Sequence, residues 1–409
     1  MSAIQFEFRR PDGVPGARLG RLTTPHGTID TPAFIVVGTQ ATVKSLQPDE
    51  VAALGAQAVL CNTYHLYLRP GAELVAELGG LHAFMRWPGP MFTDSGGYQV
   101  FSLGSGMEHG IGKQVGMFPD EDERGRRQPA QKPSGKSLSK VDDDGVTFRS
   151  HIDGSTHRLT PESSIDVQEK LGADIILAFD EPTSPLHDEA YTARAMHRTH
   201  RWAERCLAAR RRPDQALYGI VQGGAFGRLR EESAAFIGQL PFDGFAVGGS
   251  LGKSKRDMER VLEWTVPALP EDRPRHMLGI GEPEDLFACV ERGIDTFDCV
   301  APTRLARRGV LLTGRGRITI SQAKYRADPA PIEDGCGCPT CRTFSRAYLR
   351  HLFVADELLA YTLATMHNLS FILTLMARVR AALADGTYAA LRDEVLGGLR
   401  SSRAPSAGA

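Results

Sequence analysis

Three cysteines crowd into six residues, Cys336-Gly337-Cys338-Pro339-Thr340-Cys341. Thiolates this close repel one another unless a cation neutralises them, and zinc takes four N or S ligands tetrahedrally. A fourth ligand must come from outside the run. His367, 26 residues after Cys341 in a helical stretch, and His351 are the candidates. Four ligands leave no open coordination position, so the chemistry implied is one structural zinc ion per chain rather than a catalytic one. A second set of residues stands just after short apolar runs: Asn62, Asp94 with Ser95-Gly96-Gly97, Asp180-Glu181, Gln222-Gly223, Gly248-Gly249 and Asp298. Carboxylates of this kind suit a nucleophile, a general acid or base, and a reader of ring N–H groups. The glycines let a flat ligand approach backbone N–H and C=O groups closely.

Positioning these residues is the task of the apolar runs themselves. Ala33–Val37, Ala58–Cys61, Met91–Thr93, Ile175–Phe179, Leu217–Val221, Gly244–Val247, His276–Gly279 and Ile294–Phe297 read as eight buried strands. Helical patterns alternate with them. Thr160-Pro161-Glu162 opens one helix, with threonine as N-cap and proline at the first helical position. Asp188–Arg212 is a long Arg-rich helix, and Pro283–Arg292 is a shorter one ended by Gly293. Alternation of strand and helix implies a parallel sheet, and eight repeats imply an α/β fold of the closed (β/α)8, TIM-barrel type. An open doubly wound sheet is the alternative. In a barrel, the residues following each strand converge on one mouth. The expected organisation is an N-terminal β extension over 1–30, a barrel over 31–310, a zinc-binding and helical subdomain over 311–400, and a disordered tail over 401–409. Ser105–Asp144, rich in Gly, Lys, Asp, Glu, Ser and Pro, reads as a long mobile insertion. Phe344–Leu383 reads as helical.

The 409 residues suit one large barrel with an appendage. Net charge is −1, so contact with nucleic acid must come from a local patch rather than a global field. Seven scattered and clustered cysteines do not resemble a secreted disulfide framework. Met1–Asp12 has no apolar signal region, and no run of about 18 apolar residues is read, so a cytoplasmic chain with no membrane partner is expected.

Several strings together resemble the tRNA-guanine transglycosylases, the queuine tRNA-ribosyltransferase family. They are Phe92-Thr93-Asp94-Ser95-Gly96-Gly97-Tyr98-Gln99, Phe179-Asp180-Glu181, Val221-Gln222-Gly223, Ala246-Val247-Gly248-Gly249, Phe297-Asp298-Cys299 and Pro302-Thr303-Arg304, followed by the cysteine cluster. The likeness runs from about Phe8 to Gly398. It implies a barrel with a zinc-bearing subdomain near its C-terminal end, and exchange of the wobble guanine in tRNAs whose anticodon begins with G and U. By position, Asp298 resembles the nucleophile on the ribose and Asp94 the general acid/base. Ser95, Asp180, Gln222 and the Gly249 backbone resemble the readers of the base edge. Tyr98 resembles a stacking platform, with Leu278-Gly279 as the opposite wall. Arg304 and Arg307 resemble tRNA contacts, and His367 becomes the fourth zinc ligand. The family implies a homodimer, with Phe344, Tyr348 and His351 at the interface. The implied partners are the tRNA anticodon stem-loop and a free 7-deazaguanine base.

Taken singly, these residues have plainer readings. Asp298 could be a structural strand-end carboxylate, Asp94 a turn cap, Tyr98 core, and Gln222 a partner for buried backbone. The five arginines of Arg304–Arg317 suit phosphate contact because they follow Asp298, whereas those of Arg194–Arg212 suit an exposed helix face. The chain also departs from the common bacterial pattern. After Gly248-Gly249 it continues Ser250-Leu251-Gly252-Lys253-Ser254, so Gly252 stands at a valine position and Ser254 at a glutamate position; Pro182 stands where a cysteine is frequent. Lost bulk and a lost carboxylate favour queuine, a bulky cyclopentenediol base, over the aminomethyl prequeuine base. Prequeuine is the alternative. A silent tRNA-binding subunit would lack Asp94 or Asp298. A zinc barrel hydrolase would need His ligands at the mouth.

Overall fold

The computed structural model of the chain describes residues 3–101 and 139–401. Its strands are β1 (Gln5–Arg9), β2 (Leu19–Thr24), β3 (Gly27–Thr31), β4 (Ala33–Val37), β5 (Val59–Cys61), β6 (Met91–Thr93), β7 (Ser139–Val141) and β8 (Val146–Arg149). They continue with β9 (Thr156–Leu159), β10 (Ile175–Leu177), β11 (Ala216–Val221), β12 (Gly244–Val247), β13 (Arg275–Met277), β14 (Thr296–Cys299), β15 (Val310–Thr313) and β16 (Gly316–Thr319). Eight of them, β4, β5, β6 and β10 to β14, close into a barrel in chain order. The open-sheet alternative is thereby excluded. All five residues of β4 and all six of β11 are buried, which is why these strands read as continuous apolar runs rather than alternating ones.

Helices flank the strands where the sequence places their caps. The helix Pro161–Leu171 starts at Thr160, whose Oγ1 accepts from the Ser163 N–H at 3.2 Å while Ser163 Oγ accepts from the Thr160 N–H at 2.8 Å. This capping box orders the first turn. Gln168 of the same helix, fully buried, accepts from Thr93 Oγ1 and the Leu177 N–H, both at 3.0 Å, and donates to Leu177 O at 2.9 Å. It joins the ends of β6 and β10.

The chain divides into two compact units. One comprises Met1–Glu7, Leu22–Gly27 and Cys61–Leu278; the other comprises Phe8–Arg21, Thr28–Leu60 and Gly279–Ala409. In the first unit, β7, β8 and β9 form an antiparallel sheet. This corrects the reading of a polar insertion through residue 144: its last residues pair as β7, Ser139 opposite Phe148 and Val141 opposite Val146. The turn is capped by Asp142 Oδ1, which accepts from the Asp144 and Gly145 N–H groups at 3.0 and 3.1 Å. The earlier part of that segment, 105–138, lies outside the described residues, as does the tail 402–409. The long helix Glu189–Ala209 is not simply an exposed basic face. Arg198 and Arg201 reach Asp143, Arg198 also pairs with buried Glu181, and Arg205 pairs with Glu162.

In the second unit, Arg18 and Asp295, both fully buried, form an ion pair beside β14, with Arg18 Nε donating to Asp295 Oδ1 at 2.9 Å. The Arg-rich stretch after β14 holds the hairpin β15–β16, which the sequence reading did not anticipate. Helices Arg346–Val354, Leu358–Asp385 and Tyr388–Ser401 follow. By length and composition alone Leu358–Asp385 is apolar enough to cross a membrane. Its Leu363, Ala364, Ile372, Met376 and Val379 are instead buried in the protein, each large one contributing about 1.5–3 kcal/mol by burial. Buried Asn368 on this helix accepts from the Leu312 N–H at 2.9 Å and donates to Pro302 O and Val310 O, both at 3.0 Å, holding the hairpin against it.

Candidate active site and metal centre

In the first unit, Asp94 follows β6 directly. Its carboxylate accepts from Asn62 Nδ2, from the Thr63 N–H at 2.8 Å, from Gln99 Nε2 at 2.8 Å and from the Gly96 N–H at 3.3 Å. Four donors from two strand ends fix the group's orientation while leaving it only partly buried. Ser95 is held from behind by Ser164 Oγ, which donates to its carbonyl at 2.8 Å. Ser95 Oγ in turn donates to Asp180 Oδ1 at 3.1 Å, and Gln222 Nε2 donates to Asp180 Oδ2 at 2.5 Å.

Asp180 is buried, 5 % exposed. Burial pushes its carboxyl up to about 6, with the bonds from Gln222 and Ser95 opposing and the negative charge of Asp94 adding to the rise. Gln222 is buried beside it, and its Oε1 has no hydrogen-bond partner among the described residues. That atom faces Gly249: a Cβ built there would lie 2.0 Å from it, and Gly249 has φ +74°. Only glycine fits on both counts. Tyr98, 64 % exposed on a helical turn over 97–101, is not core. Leu278 lies beside the Gly248 backbone, where a Cβ would meet its Cδ1 at 3.4 Å.

One residue here escaped the sequence reading. Arg230, in the helix Gly227–Gln239, is fully buried. Its guanidinium donates to Gly224 O, Val221 O, Gly248 O and Ser250 O at 2.7, 2.8, 2.9 and 2.9 Å. A basic residue beside Glu231 and Glu232 reads as solvated surface; nothing local signals that four carbonyls await it.

In the second unit, Asp298 lies in β14, partly exposed, and its Oδ1 accepts from the Gly279 N–H at 3.1 Å. The neighbouring Cys299 thiol is pushed up to about 12, by burial first and by the Asp298 charge after it, so it is no thiolate at neutral pH. Arg304 is exposed and Arg307 half-buried; Arg307 Nη1 donates to Thr303 O at 2.9 Å. Arg317 instead pairs with Glu282, so the arginines after Asp298 do not form one uniform basic face.

The candidate metal centre lies in this unit. His367 Nδ1 is 3.9, 3.5 and 3.4 Å from the sulfurs of Cys336, Cys338 and Cys341. The four ligand atoms lie within 4.8 Å of one another. A tetrahedral ion with Zn–S of about 2.3 Å and Zn–N of about 2.0 Å requires N···S separations of roughly 3.5 Å, so the cluster fits zinc. His367 Nε2 meets Leu312 O at 2.6 Å, which fixes the tautomer and turns Nδ1 to the sulfurs. His351, the competing candidate, is exposed and away from the cluster, its ring 6.5 Å from that of Tyr348.

Comparison with known proteins places the chain in one family. A family model described as queuine tRNA-ribosyltransferase matches residues 13–118 and 126–400. A queuine tRNA-ribosyltransferase of Herpetosiphon aurantiacus is 52% identical over 397 residues, covering 97% of this chain and 93% of the relative. Those of Symbiobacterium thermophilum and Roseiflexus sp. are 51% and 49% identical, each over 96% of this chain and over 91% and 99% of their own lengths. The chain is therefore a member of the queuine tRNA-ribosyltransferase family, the tRNA-guanine transglycosylases.

Proposed function

We propose that this chain exchanges the wobble guanine of tRNAs with G-U anticodons for a 7-deazaguanine, by two displacements at one ribose carbon. The observation that carries the reading is the buried Asp180 carboxylate, paired with Ser95 and Gln222, next to an unsatisfied Gln222 Oε1. A buried amide acceptor without a donor is costly, and a purine-like edge with ring N–H and amino donors satisfies both groups. Tyr98, with its exposed ring, supplies the stacking face, and Leu278 with Gly279 the facing wall.

In the first displacement a carboxylate oxygen of Asp298 bonds to the ribose anomeric carbon as its bond to guanine breaks. The Gly279 N–H at Oδ1 orients that carboxylate. The departing base takes a proton from Asp94, since guanine leaves poorly as an anion. In the second, the incoming base returns a proton to Asp94 and its ring nitrogen displaces the Asp298 ester. One glycosidic bond replaces another, so no energy source is needed, and the sequence is that of a retaining glycosidase with a base in place of water. Arg304 and Arg307 contact the anticodon backbone in this reading. Cys336, Cys338, Cys341 and His367 would hold a zinc ion, which would cross-link the C-terminal elements.

For the incoming base we favour queuine. Gly252 has φ +96°, and a Cβ there would lie 2.2 Å from Asp257 Cβ, so no side chain projects from it. Ser254 caps the helix Lys255–Thr265, accepting from the Asp257 N–H at 3.2 Å. The Asp257 carboxylate is committed in return to the Lys253 and Ser254 N–H groups at 3.0 and 3.1 Å. This loop thus offers no unengaged carboxylate for an aminomethyl cation. Tyr348, 38 % exposed beside Phe344, leaves ring surface open to a homodimer contact in this reading, and the cytoplasm is where such a tRNA reaction belongs. The test is release of radiolabelled guanine from a G-U anticodon tRNA, with queuine and prequeuine in competition. Queuine should be used better; prequeuine used equally or better would end the queuine reading, and no release with either would end the exchange reading.

A further inference from the structure

We propose that Arg230 is a positioning residue that sets the base-reading loops, clamping the chain on both sides of Gln222 and on both sides of Gly249. The inference rests on the reading that Gln222 and the Gly249 backbone meet the base. Val221 and Gly224, two of the four carbonyls Arg230 binds, bracket Gln222; Gly248 and Ser250, the other two, bracket Gly249. One planar guanidinium therefore fixes the register between the loop after β11 and the loop after β12. That register brings Gln222 Oε1 against Gly249, where no Cβ fits.

Among the described residues no carboxylate pairs with Arg230. Burial alone acts on it, lowering it to about 9, and carbonyl dipoles alone satisfy it. A charged group is costly there unless its hydrogen bonds are complete. Reaching four carbonyls at once requires the forked, five-donor geometry of arginine; a lysine ammonium offers three donors from one point. Close approach of the chain to the start of this helix is also built in at Gly223, with φ +135° and a Cβ position 2.9 Å from the Arg230 backbone nitrogen. The clamp touches neither substrate nor reacting atoms and acts through Gln222 and Gly249.

The test uses the full-length, zinc-loaded chain as Arg230→Lys and Arg230→Met, with radiolabelled guanine as the exchanging base. The KM for guanine should rise about tenfold or more in both, while kcat at saturating guanine stays within about threefold and the KM for tRNA within about twofold. A purely structural role would lower the active fraction without this selective rise. A folded Arg230→Lys chain whose guanine KM stays within about twofold of the parent overturns the proposal. If neither variant folds, amide exchange of the parent chain without base decides. Residues 222–224 and 248–250 should exchange as slowly as β11 and β12, and rapid exchange there overturns the clamp. Failure of the parent chain to exchange guanine at all counts against the base-exchange reading instead, and the amide measurement still reads the clamp.

Discussion

Replacing Asp180 with asparagine should make the protein more stable at neutral pH and unable to hold its base. The carboxyl is raised by burial from 3.8 to about 6. Between those values the folded chain binds a proton that the unfolded chain has released, so stability falls as pH rises through this window. The group's favourable contribution is present below the unfolded value and lost once pH passes the folded one. A rise of this size corresponds to about 3 kcal/mol, an upper figure because Ser95 and Gln222 already bond the charged form. Asparagine carries no such charge, and the Gln222 amide can turn to present Oε1, which lacks a partner, to the new NH2 group. Asp180→Asn should therefore raise the unfolding midpoint by roughly 3 °C at pH 7.5 and by much less at pH 4.5, for a chain of this length. Base binding should move the other way. Ring N–H groups need the ionised carboxylate, so in the parent chain guanine affinity should rise roughly tenfold from pH 5 to pH 7, and the variant should lose both the affinity and its pH dependence. Calorimetric unfolding at the two pH values and guanine binding across pH 5–8 measure this. A variant no more stabilised at pH 7.5 than at pH 4.5, or one that binds guanine as the parent does, would refute the reasoning.

Three further substitutions test the scaffold. Arg18→Met should cost about 3–5 kcal/mol because it strands the buried Asp295 carboxylate; adding Asp295→Leu should recover most of that loss, as denaturant unfolding will read. Cys338→Ser should bring bound zinc from about one ion per chain to well below half by elemental analysis, and should speed proteolysis of 339–385, because binding and folding are coupled at such sites.

Much of the barrel was legible because its strands are buried on both faces. Runs such as Phe34-Ile35-Val36-Val37 and Ile175-Ile176-Leu177 have no solvent face to interrupt them. The candidate site was legible for a different reason: polar residues that follow such runs are placed by topology, so Asp94, Asp180 and Gln222 could be named before any contact was known. What could not be read depends on partners distant in sequence. β7 is polar and forms only because Val146–Arg149 lies opposite it. Arg18 is separated from Asp295 by 277 residues, and Arg230 from its farthest carbonyl by 20. In the helix Leu358–Asp385, Thr365, His367 and Asn368 interrupt the apolar run. All three are buried, two of them by binding the hairpin and facing the metal centre.

Exchange by this route requires Asp298 to bond to ribose while Asp94 handles the proton. Denaturing gels and peptide mass spectrometry of the chain mixed with G-U anticodon tRNA, and no incoming base, test this directly. The parent should yield a covalent tRNA adduct on the peptide containing Asp298, and Asp298→Asn should yield none. An adduct that survives Asp298→Asn, or one that maps to Asp94, would contradict it.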